Sequence, residues 1–386
     1  MSGYFSVSRR LWGSALSFLY HKLMCKPLKP VAVSLALTHQ CNSHCIMCNI
    51  WKRSHECPDI KNEEMSREEI IHILSNPLFS ELVELDLTGG EPHLRDDLVD
   101  LVVSVAELKK RHLPKLRSIV VTSNGFLPEK IAGNYRKMLE GLRNSNIDLV
   151  SVNSLDGIGQ IHEKIRGIRG AYELVVKTLE ELHEIRNEHK NFFTGIKTTI
   201  LPENVDYLNT ILDFAVTRNL FHIISPVFFT EGRFRNTVNR KKLELGSLEY
   251  RKIAGLYNRP ELMTNYFYSQ TLDFLISGRK LWNCTAGFNY LFIEFDGKVF
   301  PCEMVSESVG DLRNQSPEVL WNSKAFGNWR KGMRKLEWCR TCHEPGAVRY
   351  SACTEGLSYL KFLRKLGKME FGDSFYHEGY CKYLGE

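Results

Sequence analysis

Three cysteines stand close together early in the chain, at the spacing Cys-x3-Cys-x2-Cys. They are Cys41, Cys45 and Cys48, and they directly follow an apolar, strand-like stretch over residues 31–37. Cysteine thiolates hold iron–sulfur clusters, and a cubane cluster normally takes four of them. A loop that supplies three leaves one iron open, so that iron can bind and polarise another molecule, as catalytic zinc does. A zinc site that borrows a distant fourth ligand would have the same spacing.

A second motif follows the strand-like segment 82–88. It consists of Gly89, Gly90, Glu91 and Pro92. Two glycines at a strand end let a ligand approach the backbone, and a carboxylate there can hold an ammonium group. Because Gly-Gly also occurs in ordinary turns, the motif gains its meaning only together with the three cysteines.

Together, the strand, the three-cysteine loop and the Gly-Gly-Glu-Pro segment resemble the radical S-adenosylmethionine (radical SAM) superfamily. The resemblance implies that a [4Fe-4S] cluster on the loop binds the amino and carboxyl groups of SAM, with Gly89, Gly90 and Glu91 in the SAM site. It also implies that the reduced cluster cleaves SAM to a 5′-deoxyadenosyl radical, using an external electron donor of the flavodoxin or ferredoxin type. The cofactor supplies the difficult chemistry, and the protein supplies orientation.

Other strand ends carry residues that resemble the SAM-binding segments of this family. Asn-Gly and Asp-Gly pairs follow two of the strands, although both pairs are also plain turn signals. By resemblance, Ser123, Asn124 and Ser154 contact SAM. Arg166 is expected to pair with the SAM carboxylate, a task that suits a planar guanidinium. Met47 occupies the place where relatives often have an aromatic residue near the adenine, and it can make similar apolar contacts.

Four more cysteines form a second group near the C-terminus: Cys284, Cys302, Cys339 and Cys342. An Asp-Gly pair between two strand-like runs predicts a hairpin that returns Cys284 and Cys302 to the same end. Four thiolates can close an iron–sulfur cluster or a zinc site, and spacing alone does not separate the two. The pattern resembles the auxiliary-cluster extension called SPASM, or its shorter form, twitch. The resemblance implies an auxiliary [4Fe-4S] cluster on these cysteines.

Two of the remaining four cysteines distinguish between the two forms of the extension. Cys353 and Cys381 stand at the wrong intervals for the second cluster of a full SPASM pattern, so twitch, with one auxiliary cluster, is the better match. A degenerate second site on this pair stays open. Cys25 and Cys57 are expected to be plain thiols.

Glu303 follows Cys302 directly and is the candidate catalytic residue. It matches an acidic position that serves as a general base in sulfatase-maturing relatives. A carboxylate beside a cluster could take the proton that radical oxidation releases. The commoner explanation of such a glutamate is an exposed surface residue.

The elements that must position these residues alternate between two patterns from residue 31 to 230. Strand-like runs cover 31–38, 82–88, 116–122, 148–155, 195–201 and 221–229, with amphipathic helical patterns between them, such as 170–190 and 204–219. Six βα units predict a parallel sheet with right-handed crossovers. The family resemblance makes this an α/β fold, a partial (β/α)6 TIM-type barrel, whose ligands bind at the carboxyl ends of the strands.

The N-terminal segment 8–26 carries apolar residues at helical spacing, with basic residues beside them: Leu11, Trp12, Ala15, Phe18, Leu19 and Leu23, with Arg9, Arg10, Lys22 and Lys26. The interrupted apolar run and the lack of a small-residue cleavage site argue against a signal peptide. We expect this amphipathic helix to close the bottom of the barrel. The alternative is an interfacial membrane helix.

Five units follow from these patterns. They are an N-terminal amphipathic helix (1–29), a radical SAM core (30–235), a charged helical connector (236–283), a twitch- or SPASM-like auxiliary cluster domain (284–345) and a C-terminal extension (346–386).

Composition excludes several classes of protein. A chain of 386 residues that is 43% hydrophobic suits two or three packed domains. The net charge of +6 is small, and no long Lys/Arg block indicates a nucleic-acid partner. Eleven cysteines, mostly at metal-ligand spacings, favour reduced thiolates and a cytoplasmic location. No apolar stretch reaches the ~20 residues of a membrane span.

Four functions stay open, and the sequence names no substrate. The first is oxidation of a small or medium biosynthetic intermediate, favoured because four cysteines close the auxiliary cluster and suit electron transfer. The second is peptide or protein maturation, common among SPASM relatives, although the short segment before the first strand leaves no room for their N-terminal peptide-binding domain. The third is lipid modification by a peripherally bound enzyme, suggested by the N-terminal helix and a second basic segment, 356–368. The fourth is a non-catalytic iron–sulfur protein.

Overall fold

The computed structural model describes residues 2–333, 336–367 and 371–385. Its strands are β1 (Ala32–Thr38), β2 (Glu84–Gly89), β3 (Ser118–Ser123), β4 (Asp148–Ser154), β5 (Phe192–Ile200), β6 (Phe221–Pro226), β7 (Tyr290–Ile293), β8 (Lys298–Phe300) and β9 (Gly310–Asp311). Its helices are α1 (Ser2–Leu23), α2 (Ile50–Glu56), α3 (Arg67–Leu74), α4 (Leu98–Leu108), α5 (Pro128–Gly141), α6 (Gln160–Arg166), α7 (Ala171–Glu188), α8 (Leu208–Thr217), α9 (Arg240–Leu243), α10 (Ser247–Tyr257), α11 (Pro260–Met263), α12 (Tyr266–Ser277), α13 (Pro317–Trp321), α14 (Lys324–Gly332), α15 (Glu337–Thr341), α16 (Pro345–Glu355) and α17 (Leu357–Leu366).

Strands β1 to β6 pair in parallel with their sequence neighbours, which confirms the predicted barrel topology. Their outward residues alternate with inward ones, as the period of a strand requires. Val33 and Leu35 of β1 and Leu85 and Leu87 of β2 belong to one apolar core with the surrounding helices. The inward positions between them include Ser34, which leaves polar groups inside the barrel.

The auxiliary segment continues the barrel sheet instead of forming a separate layer. Strand β7 pairs in parallel with β1 on its free edge, and β8 and β9 follow in antiparallel fashion. The predicted hairpin is present, with Gly297 in its turn at a φ of +87°. The expected boundary between core and auxiliary units is therefore crossed by one continuous sheet.

The C-terminal extension closes the amino-terminal end of the barrel. Glu84, at the start of β2, is buried and lies 3.1 Å from both Arg349 Nε of α16 and Lys382 Nζ. Although burial alone would raise the pKa of Glu84, the two cations lower it to about 2. The barrel bottom is thus sealed by a buried ionic cluster.

Helix α1 packs on α16 and α17. A Cβ at Gly356, between those two helices, would come within 2.2 Å of the carbonyl oxygen of Leu11, so the backbones are in close contact. Helix α1 therefore covers the helices that close the barrel, one layer further out than the sequence suggested.

The expected connector contains the short helices α9 to α12. The described residues include no helix with both the length and the apolar character needed to cross a membrane.

Candidate functional site

The loop with Cys41, Cys45 and Cys48 connects β1 to α2 and is fixed mainly by backbone hydrogen bonds. The amides of His44 and Ile46 donate to the carbonyls at the end of α6, at 2.9 and 3.0 Å. On the other side, Asn236 Nδ2 donates to the Met47 carbonyl at 2.8 Å. Gly167, at a φ of +70°, follows α6, and a Cβ there would lie 2.6 Å from the carbonyl oxygen of His44. The loop conformation is thus imposed by its surroundings.

The three thiols of this loop lie near one another at the carboxyl end of the barrel. Burial raises the pKa of both Cys41 and Cys48, to about 12 in the case of Cys48, and the neighbouring Cys45 thiolate raises each further. A bound metal keeps its coordinating thiols deprotonated, so it would offset the cost of ionising Cys41 and Cys48. The donor set therefore fits the three-ligand cluster inferred from the sequence.

Gly89 and Gly90 make room for the cluster loop, not only for a ligand. A Cβ on Gly89 would lie 2.4 Å from the Thr38 carbonyl oxygen, and one on Gly90 would lie 2.1 Å from that of Gln40. The Gly90 amide donates to the Thr38 carbonyl at 2.7 Å. The Gly-Gly pair therefore holds the end of β2 against the start of the cluster loop.

Glu91 is fully buried and joins the ends of two strands. Its carboxylate accepts hydrogen bonds from the Asn124 amide at 2.7 Å and from Ser123 Oγ at 3.0 Å. Burial raises the pKa of Glu91 to about 7, although these hydrogen bonds oppose the rise. Asn124 Nδ2 lies 4.0 Å from Cys41 Sγ, which places this amide beside the cluster loop. The Ser123 hydroxyl is already engaged with Glu91, so its contact with SAM stays a prediction.

Arg166, at the end of α6, lies against the cluster loop. Its Nη1 is 3.5 Å from Cys45 Sγ, and its Nη2 is 2.6 Å from Asp156 Oδ2. Its buried Nε has no hydrogen-bond partner among the described residues, so the guanidinium retains an unused donor. Such an orphaned donor fits an absent anionic group, and the predicted pairing with the SAM carboxylate stays a prediction.

Two further predicted contacts occupy the same end of the barrel. Met47 is buried beside Ile165 and Leu201. Ser154 is the last residue of β4 and is largely buried. Met47 belongs to the cluster loop and Ser154 ends a barrel strand on the same side, and their contacts with SAM stay predictions.

The four cysteines of the second group line one cavity together with Tyr290 and Glu303. Cys284 Sγ lies 3.3 Å from the Tyr290 hydroxyl. Burial raises the pKa of Cys339 to about 12 and that of Cys342 to about 11. The convergence of three distant chain segments on one cavity fits the four-thiolate site inferred from the sequence.

No three His, Cys, Asp or Glu side chains in the described ranges lie close enough to share a single metal ion. A four-iron cluster is larger than one ion, so its thiolate ligands stand further apart than those of a single ion. Cys353 is buried on α16 and contacts the Tyr380 carbonyl, and Cys381 packs on the same core. This pair lies in the layer that closes the barrel bottom.

Glu303 points into the barrel and is not a surface residue. It forms an ion pair with Arg233, and its Oε1 lies 2.7 Å from Ser34 Oγ. The same hydroxyl lies 2.9 Å from Asp86 Oδ2. One hydroxyl proton can serve only one of two carboxylates, so the second contact needs a carboxyl proton, and burial raises the pKa of Asp86.

Two family models match the chain. The Radical SAM superfamily matches residues 35–215, and SPASM, an iron-sulfur cluster-binding domain, matches residues 284–343. Together these ranges cover more than half of the chain and contain both cysteine groups. The chain belongs to the radical SAM superfamily. As a radical SAM protein with a SPASM-type domain, it binds [4Fe-4S] clusters and SAM.

Several known proteins resemble the chain over most of its length. The AdoMet-dependent heme synthase of Methanosarcina barkeri is 22% identical over 81% of this chain and 88% of its own. A probable GTP 3′,8-cyclase of Methanococcus aeolicus is 29% identical, over 73% of this chain and 88% of its own. The structure of anSMEcpe with bound AdoMet and the Cp18Cys peptide superposes with a TM-score of 0.53 at 16% identity, covering 92% of this chain and 99% of its own. That likeness supports the fold.

Sequence reasoning missed part of this radical SAM site. It did not identify Ser34, Asp86 and Arg233 around Glu303, or Asp156 beside Arg166. A signal was present in β2, where Asp86 stands between two leucines at an inward position. Arg233 follows the last barrel strand and had no such signal.

Proposed function

We propose that this chain is a radical SAM enzyme that oxidises its substrate by two electrons. When bound, the first cluster supplies the electron that cleaves SAM to a 5′-deoxyadenosyl radical, and the auxiliary cluster supplies an acceptor for the electron left after hydrogen abstraction. The substrate loses one hydrogen atom to the radical, then one electron and one proton. The first electron would come from an external donor of the flavodoxin or ferredoxin type, in the cytoplasm.

The observation that carries this proposal is the cavity shared by Cys284, Cys302, Cys339 and Cys342. Four thiolates can occupy all four irons of a cubane cluster. A cluster without an open iron suits electron transfer better than substrate binding. The same reasoning assigns one auxiliary cluster, as in twitch, and leaves Cys353 and Cys381 outside it.

The chain's own residues would orient the reactants and hold the released proton. Glu303 lies in the barrel beside the auxiliary cavity, where a carboxylate could take that proton. Arg233 and Ser34 fix its two oxygens. Arg166 and Asn124 lie at the cluster loop, where we assign them to SAM.

Peptide or protein maturation is the second candidate function. The observation that favours it is the similarity to anSMEcpe, which was solved with a peptide bound. In this chain a peptide would have to reach the same barrel interior, close to Glu303. A small biosynthetic intermediate and a peptide side chain both satisfy the proposed oxidation.

Lipid modification has weaker support, because α1 lies at the closed end of the barrel, opposite the cluster loop. A non-catalytic role is disfavoured because all three loop cysteines and the Gly-Gly-Glu-Pro segment are present. Failure of the reduced, reconstituted protein to form 5′-deoxyadenosine would revive that role.

The double variant Cys339→Ala/Cys342→Ala tests the proposal. Iron analysis should show a fall from about eight to about four irons per chain. The variant should still form 5′-deoxyadenosine when reduced in the presence of SAM. It should form no product that lacks two hydrogens when incubated anaerobically with small-molecule or peptide extracts of the source organism and examined by mass spectrometry.

The matched control is Cys57→Ala, because Cys57 is an exposed thiol. It should match the wild type in iron content, 5′-deoxyadenosine and product. Unchanged formation of the oxidised product in the double variant would exclude the auxiliary site as electron acceptor.

A further inference from the structure

Helix α1 carries apolar side chains on two opposite sides. Val7, Leu11 and Phe18 are buried against the protein. On the opposite side, Trp12, Leu16, Leu19 and Leu23 are between 50% and 74% exposed. We call these four side chains the outer face of α1. A helix that is apolar on both sides is stabilised by a partner on each, and the described residues cover only one side of α1.

The surroundings of the outer face are basic. The first acidic residue of the chain is Glu56, so α1 and the segment after it contain no carboxylate side chain. Arg9, in the first half of α1, and Lys26, three residues beyond its C-terminal end, are exposed. The neighbouring helix α17 contains no acidic residue and exposes three cations, Lys361, Arg364 and Lys365. Lys368, the next basic residue, lies outside the described residues.

These cations have no acidic partner among the residues that the structure describes. Within those ranges, no salt bridge, side-chain hydrogen bond or cation–π contact involves Arg9, Lys26, Lys361, Arg364 or Lys365. An apolar strip with unpaired cations around it is the surface pattern of helices that lie in a membrane interface. Anionic headgroups attract such cations within a Debye length.

A second copy of the chain is the main rival occupant. The spacing of Trp12, Leu16, Leu19 and Leu23 also suits a coiled-coil seam. Two α1 helices packed together would bring Arg9 and Lys26 of both copies close, with no acidic residue on either helix to pair with them. Charge complementarity therefore favours an anionic surface over a second α1.

We propose that the outer face of α1 and the basic face of α17 dock this protein on a membrane surface rich in anionic lipid. Helix α1 would lie parallel to that surface, with its outer side chains among the headgroups and acyl boundaries. This inference does not rest on the oxidation proposed above, and either can fail alone.

The docking geometry also determines which way the active site faces. Helix α1 packs on α16, whose Arg349 reaches Glu84 at the amino end of β2. The cluster loop leaves β1 at the carboxyl end. A membrane on the outer face of α1 would therefore leave the open end of the barrel turned toward the aqueous phase, available to a dissolved substrate and electron donor.

Vesicle flotation of the full-length, cluster-reconstituted protein tests this docking. Vesicles of phosphatidylcholine alone should bind little protein, and vesicles that also contain phosphatidylglycerol should bind most of it. Raising the salt concentration should release much of the bound protein. Absence of binding to the anionic vesicles at low salt would overturn the proposal.

The decisive variant is Trp12→Ser/Leu16→Ser/Leu19→Ser, which removes apolar area only from the outer face. We expect its partition onto anionic vesicles to fall at least about tenfold. The matched control is Val238→Ser/Leu248→Ser/Ile276→Ser, three exposed apolar residues of the connector. It should bind like the wild type. Equal binding by both triple variants would contradict a role for α1.

Two further measurements complete the test. Arg9→Glu/Lys26→Glu should reduce binding to the anionic vesicles, and 5′-deoxyadenosine formation by each variant, unchanged from the wild type, checks that it is folded. Analytical ultracentrifugation reports on the rival occupant. If the wild type were a dimer, the outer-face variant a monomer, and neither protein bound vesicles, the outer face of α1 would be a dimer interface. That result would overturn the proposed membrane docking.

Discussion

At the cluster loop, three thiols come from eight consecutive residues, whereas at the auxiliary cavity four thiols come from three separate segments. The loop is held by backbone hydrogen bonds to α6 and by a hydrogen bond from Asn236 Nδ2, after β6, to the Met47 carbonyl, and none of these bonds has a thiol as partner. Two auxiliary cysteines belong to, or directly follow, the five-residue helix α15. A helix of that length is not stable by itself. From this difference we infer that the protein fold holds the cluster loop in place. The auxiliary site depends more on the metal that joins its separate segments.

The largest expected effect is the loss of SAM cleavage when the cluster loop loses one of its thiols. Replacing Cys48 with Ser removes one of three loop ligands, so 5′-deoxyadenosine formation should fall at least about a hundredfold. Cys57→Ser, on an exposed thiol just beyond α2, should leave it unchanged. The rate is measured by chromatography after anaerobic reduction with SAM. Comparable rates in the two variants would remove Cys48 from the SAM-cleaving site.

Removal of iron should loosen the auxiliary site far more than the cluster loop. Amides of residues 337–343 should exchange with deuterium at least about a hundredfold faster after chelation, because the thiol–metal bonds tie α15 in place. The amides of His44 and Ile46 should change by less than about tenfold, since their acceptors are backbone carbonyls of α6. Mass spectrometry of the holo and iron-free proteins measures both. If amide protection fell equally at the two sites, the cluster loop would depend on iron as much as the auxiliary site does.

The same contrast explains what the sequence could reveal. The sequence predicts the cluster loop because its three ligands and the Gly-Gly-Glu-Pro segment are local patterns. The barrel strands are predicted from their apolar runs. The contacts of Glu303 were not readable, because Ser34 lies 269 residues away from it. Glu84 and Arg349, which help to close the barrel, are 265 residues apart. Such contacts depend on how elements far apart in the chain pack together. The spacing of apolar residues in one sequence predicts local helices and strands but not these contacts.

The position of α1 shows a second limit of the sequence. Its apolar residues indicated an amphipathic helix, but a list of helical positions does not say which side finds a partner in the fold. The structure buries Leu11 and Phe18 and leaves Trp12 and Leu19 exposed. Gly89 and Gly90 are a similar case, because their motif suggested room for a ligand and the fold uses that room for the cluster loop.

If the backbone holds the cluster loop before iron arrives, a change in that backbone should weaken the iron-free protein. Gly90→Ala places a Cβ 2.1 Å from the Gln40 carbonyl oxygen, which cannot move without shifting the loop. We expect a loss of about 2 kcal/mol in the free energy of unfolding. Denaturant unfolding of the iron-free protein measures it.

Gly133→Ala is the matched control for this change. Gly133 lies within α5 and has open space around its Cα, so alanine should leave stability unchanged or raise it by about 0.5–1 kcal/mol. Equal stability of the two alanine variants would mean that the loop adapts, and that its order is not imposed by the fold.

The last expected effect is a pH dependence of stability that belongs to the cluster-loop side alone. In the iron-free protein, the auxiliary thiols of Cys339 and Cys342 have pKa values raised to about 12 and 11, so they stay protonated between pH 5 and 8. Glu91 has a pKa raised by burial to about 7, so the folded state binds a proton there that the unfolded state has already released. Stability should therefore fall as pH rises from about 5 to 7, by up to about 1.4 kcal/mol per pH unit, and level off above. Glu91→Gln cannot titrate, and it should flatten this slope in denaturant unfolding measured across that range. If the free energy of unfolding of Glu91→Gln fell with pH as steeply as that of the wild type, the titrating group would not be Glu91. The pH dependence could then not be assigned to the cluster-loop side.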